Sequence, residues 1–387
     1  MTTSEQEHIA PLMPAIHLPR GPYESFTPGP ESLIYTTERP TPRPSPAQYL
    51  IKVQTAALCR GELTWPEVLS CTRPEPAIPA HDVCGIILAT PQIDEHSRGG
   101  PKFKVGDEVY GLLALHRDGG AADCTLAEER ELAFKPKNVS AAVSCALPLS
   151  GLTAWQAFFE HGPLAAVANA GQEEAYRERE LGGGRRSGEG GSGGGRKPAR
   201  VLITNASGGV GVQAVQLLRS PTLFGTRKFW ICGTCSGRNE RFVREELGVD
   251  EVIDYTVYPD ISEAFAAHGW EPVDFVLDCI GGRTLKDVHS PAVVRDGGVI
   301  LSVAHPLLKE WGDNLGGVRD RGVKSSYFIV KPNGEQLQKV TQLVEAGEVK
   351  GYVERVYDLI EAREAMARVE SQRVRGKVVL RVNHYTS

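Results

Sequence analysis

The chain has 387 residues, among them 42 glycines, 26 prolines and eight cysteines, with 43 basic against 48 acidic side chains. That length suits two domains, or three, and leaves ample chain to bury a core. The formal charge of −5 gives no electrostatic footprint for nucleic acid or an anionic membrane surface, and no run of about eighteen apolar residues is present to span a bilayer. Met1 to Pro11 lack the basic-then-apolar pattern of a secretory signal. Eight cysteines in so long a chain do not read as a disulfide framework, so a reducing, cytoplasmic setting is expected.

Prolines punctuate the N-terminal part: Pro40, Pro42, Pro44 and Pro46 alternate, then Pro66, Pro74, Pro76 and Pro79 follow. Long helices are disfavoured there. Strands are expected at Gln48 to Thr55, Val83 to Ala89 and Glu108 to Leu113, the last entered through the turn Lys104 to Asp107. Further on, nine of the fourteen residues from Gly182 to Gly195 are glycine. With charged neighbours and no apolar face, the stretch from about 170 to 198 cannot offset its ordering entropy and is expected to be a flexible insertion.

Beyond it, short continuous apolar runs alternate with helical patterns. The strands are Arg200 to Thr204, Phe229 to Gly233, Glu251 to Ile253, Val273 to Asp278 and Gly298 to Val303, with helices such as Gly211 to Arg219 and Glu240 to Leu247 between them. Continuous apolar strands of this kind belong to a parallel sheet covered on both faces, and βαβαβ repeated twice is a doubly wound nucleotide-binding architecture. A helix at Asn333 to Ala346 and a strand at Gly376 to Val382 close the chain. The expected division is a substrate domain over 1–150, completed by about 340–387, and a nucleotide-binding domain over 151–339.

Directly after the RVLIT strand comes Asn205-Ala206-Ser207-Gly208-Gly209-Val210-Gly211, opening the helical run VQAVQLLR. This is the dinucleotide fingerprint with Ala206 in the first glycine position. Gly208 lets the backbone approach a pyrophosphate, Gly211 lets helix and strand pack closely, and the helix N-terminus offers free N–H groups to the anion. The end of the second strand selects the dinucleotide. An acid about twenty residues on would hold the ribose of NAD, but Gly233 to Asn239 contains no carboxylate. Ser236 and Arg238 instead suit a 2′-phosphate, with the Tyr255 hydroxyl as a further contributor, so NADP is favoured. Cys232 and Cys235 form a C-x-x-C without a second pair and carry no metal or redox expectation.

These motifs resemble the medium-chain dehydrogenase/reductase superfamily, in its NADP-dependent, quinone-oxidoreductase-like branch. The resemblance rests on AIHLPRGP, LIYTTERPTPRPSPAQYLIKVQTAAL, KVGDEVYGL, LSGLTAWQAFF, ITNASGGVGVQAVQLL, LGVDEVIDY and the ending LVEAGEVKGYVERVYDLIEAREAMARVESQRVRGKVVLRV. It implies an α/β chain, with an N-terminal GroES-like β domain beside a Rossmann domain and the active site between the two. Zinc-dependent members bind their metal through a cysteine, a histidine next to an acid, and a later cysteine or acid. Cys59 and the pair His81-Asp82 match the first two. The third place, four residues before Thr153, is Leu149, and Cys145 lies four positions too early. The segment from 90 to 110, where a structural zinc lobe would need four cysteines, has none. Two ligands make a poor site, since catalytic zinc takes three protein ligands, so a zinc-free enzyme is expected.

Without a metal, hydride delivery from NADPH to an already activated acceptor is the natural chemistry: an enone, an enoyl thioester or a quinone. The resemblance implies that Thr153 faces the nicotinamide ring and that Val303 packs near it, with Tyr327, Phe328 and Lys377 approaching the cofactor. Cys59, Glu62 and Trp65 are candidates for the substrate pocket, Glu62 as an orienting group and Trp65, with Trp155, as an apolar wall. No residue is assigned as a catalytic acid. Two other readings stand beside this one: a zinc-dependent alcohol dehydrogenase, and an NADPH-binding interaction protein without turnover. The expected partner is a small-molecule substrate rather than nucleic acid or membrane, for a monomer or homodimer. The family also contains enoyl reductases that serve polyketide assembly, and no residue decides that role here.

Overall fold

The computed structural model describes residues 9–19, 28–65, 76–92, 100–162, 164, 199–304 and 320–383. The glycine-rich stretch within 170–198 lies outside the described residues. The chain divides into two compact units, Met1–Leu152 with Lys331–Ala346 and Lys350–Ser387, and Thr153–Val330 with Gly347–Val349.

The first unit begins with an antiparallel pair, β1 (Leu12–His17) and β2 (Ile34–Pro40), and continues through β3 (Gln48–Leu58), β4 (Asp82–Ala89), β5 (Glu108–Leu112), β6 (Cys124–Glu128) and β7 (Leu132–Phe134). Two short helices follow, α1 (Ala141–Cys145) and α2 (Pro148–Gln156). The second unit holds β8 (Ala199–Ile203), α3 (Gly209–Arg219), β9 (Phe229–Cys235), α4 (Gly237–Arg241), β10 (Glu251–Asp254), α5 (Ile261–His268), β11 (Val273–Asp278), α6 (Gly282–Asp287), β12 (Val294–Ser302) and β13 (Lys324–Tyr327). The chain then returns to the first unit with α7 (Gly334–Glu345), β14 (Val353–Asp358), α8 (Ala362–Glu370) and β15 (Lys377–Arg381).

In the first unit the sheet order is β14-β15-β3-β4-β5-β7, with β6 also paired to β3. β3 is its axis because its alternate side chains are buried on both faces. Tyr49 and Ile51 join Val83, Ile87 and Phe103 on one side, while Leu50, Val53 and Leu58 join Met366, Val378 and Leu380 on the other. Closing strand β15 runs antiparallel to β3, pairing Val378 with Leu58 and Arg381 with Thr55.

The second unit is a six-stranded sheet in the order β10-β9-β8-β11-β12-β13, and every pair is parallel. Counted from β8 this is 3-2-1-4-5-6, the dinucleotide-binding order, whose strand direction of travel reverses between β8 and β11. Its core is the Val, Ile and Leu set of these strands, including Leu202, Ile253, Val276 and Ile300, under Phe265 of α5 and Leu285 of α6. The expected helix over Glu240 to Leu247 is in fact two pieces, α4 and a π-helical turn at Phe242–Glu246.

The stretch Ala141–His161 is long and apolar enough to cross a membrane, although polar residues and Pro148 interrupt its apolar runs. Buried positions make up 78% of its most apolar window, and Ala146 and Leu147 separate α1 from α2, the features of core helices.

Candidate active site

In the second unit the glycine loop sits at the C-terminal end of β8, where the strand order reverses. Asn205 takes a left-handed backbone, φ 54°, a conformation asparagine tolerates better than most residues. Its N–H donates to Thr234 Oγ1 at 2.9 Å, and the Ala206 N–H donates to the Thr234 carbonyl at 2.9 Å. α3 opens at Gly209, so its first-turn N–H groups are the ones a helix leaves for an anion. A Cβ on Gly211 would lie 2.2 Å from the Asn205 carbonyl oxygen and 2.7 Å from Ala206 Cα, so helix and strand meet there with room for hydrogen only. A Cβ on Gly208 would meet the Asn205 side chain at 2.4 Å. Ser207 is buried and accepts from Asn239 Nδ2 at 3.1 Å, which ties the loop to α4. Val210 is half-buried.

At the end of β9, Ser236 precedes α4 and its Oγ is buried without a hydrogen-bond partner. Arg238 is exposed, and Tyr255, after β10, is 49% exposed. The neighbouring strand brings in a group that the local sequence did not reveal. Asp254 pairs with Cys235 across the sheet, and a Cβ on Gly237 would lie 2.5 Å from Asp254 Oδ2. Asp254 Oδ1 accepts from the Thr256 N–H and Oγ1–H. A second unforeseen group is Asp278, wholly buried at the end of β11. It accepts from Thr204 Oγ1 at 3.0 Å, Ser302 Oγ at 2.8 Å and the Gly281 N–H at 2.9 Å, fastening the ends of β8, β11 and β12 together. Val303 is one residue past β12, its N–H donating to the Asp278 carbonyl at 2.9 Å. Tyr327 ends β13, where burial pushes its hydroxyl up, and Phe328 stacks on His161 at 4.2 Å. Thr153 is buried in α2. Trp155 packs with Phe159 at 4.5 Å, and the same aromatic group continues through Phe158, Phe224 and Phe275, so Trp155 is a core residue.

In the first unit, Cys59, Glu62, Trp65, His81 and Asp82 come together. Glu62 begins a 3-10 turn behind Gly61, and its Oε2 accepts from the Cys59 N–H at 3.2 Å. Its Oε1 accepts from the N–H groups of Ala80 at 2.8 Å and His81 at 3.0 Å, and from His81 Nδ1 at 2.6 Å. Ala80 has φ 70°, a left-handed backbone that costs an L-residue roughly 1–2 kcal/mol. The other ring nitrogen, His81 Nε2, lies 3.2 Å from the Arg117 carbonyl oxygen. Burial pulls the His81 imidazole down, but the Glu62 carboxylate and the Arg117 carbonyl outweigh it and hold the ring above its ordinary value. Asp82 Oδ1 accepts from the Leu149 N–H at 2.6 Å, and Asp82 Oδ2 faces Lys377 Nζ at 2.9 Å, both side chains being buried. Burial disfavours the ammonium, yet the charge of Asp82 holds Lys377 above its usual range. Burial pushes the Cys59 thiol up to about 12.

Residues 45–152 match the alcohol dehydrogenase GroES-like domain family, and residues 247–380 match a family described as zinc-binding dehydrogenase. A probable zinc-binding mitochondrial oxidoreductase of Arthroderma benhamiae is 36% identical over 356 residues, covering 91% of this chain and 94% of its own. A chloroplastic quinone-oxidoreductase of Triphysaria versicolor is 30% identical over 365 residues, with 92% and 96% covered. The solved quinone oxidoreductase of Coxiella burnetii superposes with a TM-score of 0.71 at 22% identity, over 96% of this chain and all of that one. The zinc in two of these descriptions does not fit the residues present here. Leu149 is aliphatic, Cys145 donates its thiol to the carbonyls of Thr55 and Asp82, and both His81 nitrogens are engaged. No group of three candidate donors converges among the described residues. The 3-2-1-4-5-6 sheet with its glycine loop, the two domain families matched in order, and the near end-to-end identity lead to one assignment: the chain belongs to the medium-chain dehydrogenase/reductase superfamily, as an oxidoreductase with a nicotinamide-dinucleotide fold.

Proposed function

We propose that the protein is an NADPH-dependent reductase of conjugated carbonyl compounds, delivering hydride to an enone, an enoyl thioester or a quinone. The observation that carries the cofactor half is the buried, unpartnered Ser236 Oγ at the end of β9, followed two residues on by Arg238. A buried polar atom without a partner is costly unless a ligand completes it, and a 2′-phosphate is a fitting acceptor for both side chains. The bound dinucleotide supplies the hydride. Gly208 to Gly211 receive its pyrophosphate against the start of α3, Tyr255 flanks the phosphate, and Thr153 and Val303 are the groups proposed beside the nicotinamide.

The acceptor half rests on the donor set around His81. Among the described residues no third metal donor joins it, so the electrophilic help for the acceptor falls to its own conjugation and to hydrogen bonds from this chain. The quinone-oxidoreductase relatives support the same reading. The test is a screen following NADPH absorbance against an enone, a quinone, an enoyl thioester and a saturated aldehyde, alongside metal analysis of the purified protein. Oxidation with conjugated acceptors by metal-free protein is the expected result. Alcohol oxidation that tracks one bound zinc per chain would overturn it in favour of an alcohol dehydrogenase, and tight NADPH binding without any turnover would favour an interaction protein.

A further inference from the structure

Asp278 is wholly buried at the end of β11, and every hydrogen bond to its carboxylate comes from a donor. Oδ1 accepts from Thr204 Oγ1 at 3.0 Å and from the N–H groups of Ile280 and Gly281, each at 3.2 Å. Oδ2 accepts from Ser302 Oγ at 2.8 Å and again from the Gly281 N–H at 2.9 Å. The two hydroxyls are aimed by their other contacts. Thr204 Oγ1 accepts from the Cys279 N–H at 2.8 Å, and Ser302 Oγ accepts from the Ala304 N–H at 3.4 Å, which leaves their protons for Asp278. A protonated carboxyl would set its own O–H against one of these donors, so the site is built for the anion. Among the described residues no lysine or arginine forms an ion pair with it. A buried charge without a cation is costly even when hydrogen-bonded, and tying strand ends together does not need a charge.

The order of the sheet says which half of a dinucleotide this charge serves. Dinucleotides bind across the crevice at the C-terminal strand ends, where the order reverses. On the proposed reading the pyrophosphate lies on the loop after β8 and the 2′-phosphate on Ser236 and Arg238 after β9. The nicotinamide half then extends the opposite way, toward the ends of β11 and β12. Asp278 and Ser302 are the last residues of those two strands. The nicotinamide ring is a cation when oxidised and neutral when reduced. A fixed anion at that end of the crevice therefore distinguishes the two oxidation states, and in a protein such an interaction extends well beyond contact distance.

We propose that Asp278 is a positioning residue that acts through its charge, its buried carboxylate favouring the oxidised, cationic form of the bound nicotinamide dinucleotide over the reduced one. This rests on the reading of the protein as an NADPH-dependent reductase. Hydride, one proton with two electrons, passes to the acceptor, water supplies the accompanying proton, and a positive charge is left on the nicotinamide. A preorganised anion set near developing positive charge favours that direction without any rearrangement at the moment of reaction. The same charge holds the oxidised dinucleotide more tightly afterwards. Ser302 and Thr204 fix the carboxylate, and they do so from the ends of the two strands that flank β11.

Calorimetric titration of NADP+ and of NADPH, with no acceptor present, tests this. In Asp278→Asn the NADP+ dissociation constant is expected to rise at least about tenfold more than that of NADPH. Ser302→Ala removes one donor and keeps the charge, so there the two constants should change by the same factor to within about threefold. Equal weakening of both forms in Asp278→Asn would mean that the carboxylate only holds strand ends together, and overturns the proposal. A loss in Ser302→Ala as selective for NADP+ as that in Asp278→Asn also overturns it, since the charge is still there. If Asp278→Asn does not fold, the wild type decides: NADP+ should bind at least as tightly as NADPH, and a preference for NADPH above about tenfold overturns the proposal. Wild-type protein that binds NAD+ and NADH but neither form of NADP would overturn the 2′-phosphate reading alone, and the same ratios taken with NAD+ and NADH then decide the role of Asp278. Protein that binds no dinucleotide overturns both.

Discussion

At the residue scale, the charges around the ends of β9 and β10 oppose one another, which makes the cofactor preference adjustable in both directions. On the proposed reading Arg238 holds a 2′-phosphate, while Asp254 sets a carboxylate oxygen against the Gly237 turn. Arg238→Ala is expected to weaken NADPH binding at least tenfold and NADH binding by less than about twofold, since a charge-assisted pair contributes about 1.5–3 kcal/mol. Asp254→Asn is expected to shift the ratio the other way, improving NADPH relative to NADH. Titration of each dinucleotide by fluorescence tests both, and equal changes for NADH and NADPH in Arg238→Ala would deny it the phosphate. The Lys377–Asp82 pair makes a separate prediction. Lys377→Met leaves a buried carboxylate uncompensated and should cost about 3–5 kcal/mol, whereas Lys377→Met with Asp82→Asn should cost clearly less. Urea denaturation of the single and double variants measures this, and equal losses would mean the pair's charges are not coupled.

At the element scale, the contrast between two glycines separates close approach from mere presence in a helix. Gly211→Ala brings a Cβ onto the backbone of Asn205 and Ala206, so α3 must lift from β8. A loss of about 1–3 kcal/mol and of dinucleotide binding is expected. Gly151, in α2, has only Val340 methyl groups at 3.6 Å and beyond. Gly151→Ala should therefore stabilise the protein by about 0.5–1 kcal/mol through the helix entropy it removes, and thermal melts of the two variants should move in opposite directions. The same contrast explains what could be read from sequence. Gly211 was legible because strand, loop and helix lie in one contiguous stretch, and β8 to β12 were legible because buried parallel strands are unbroken apolar runs. β1, β2, β7 and β14 were not, being short, proline-flanked or exposed edge strands whose pairing depends on distant partners. Among candidate site residues, Glu62 was singled out from the family resemblance of the run from Cys59 to Trp65, and its carboxylate accepts from Cys59, Ala80 and His81. Asp254, Asp278 and Asn239 needed the sheet, because each acts on a neighbour from another strand or loop, and no spacing along the chain encodes strand order.

At the scale of the whole molecule, both units conceal the thiols of their described cysteines, and this sets how the protein responds to alkali. Cysteines 59, 84, 124, 145, 232, 235 and 279 are free thiols, none of them exposed. Burial pushes Cys124 up to about 11 and Cys84, Cys145, Cys232 and Cys279 up as well. In the unfolded chain these groups ionise near 8.5. Between that pH and the raised native values the folded state holds protons that the unfolded state has released, so stability falls as pH rises. Each fully buried thiol contributes a slope of up to about 1.4 kcal/mol per pH unit. Cys84 and Cys145 lie in the first unit and Cys232 in the second, so neither unit escapes the effect. Under reducing conditions the urea midpoint is expected to hold nearly constant up to about pH 8 and to decline steadily above 8.5. Cys232→Ala should decline less steeply than the wild type in that range, even though its cavity lowers the midpoint at neutral pH. Parallel declines for the two proteins would mean that the Cys232 thiol ionises as readily in the folded state as in the unfolded one, and that its burial against the β9–β8 pair does not exclude the thiolate.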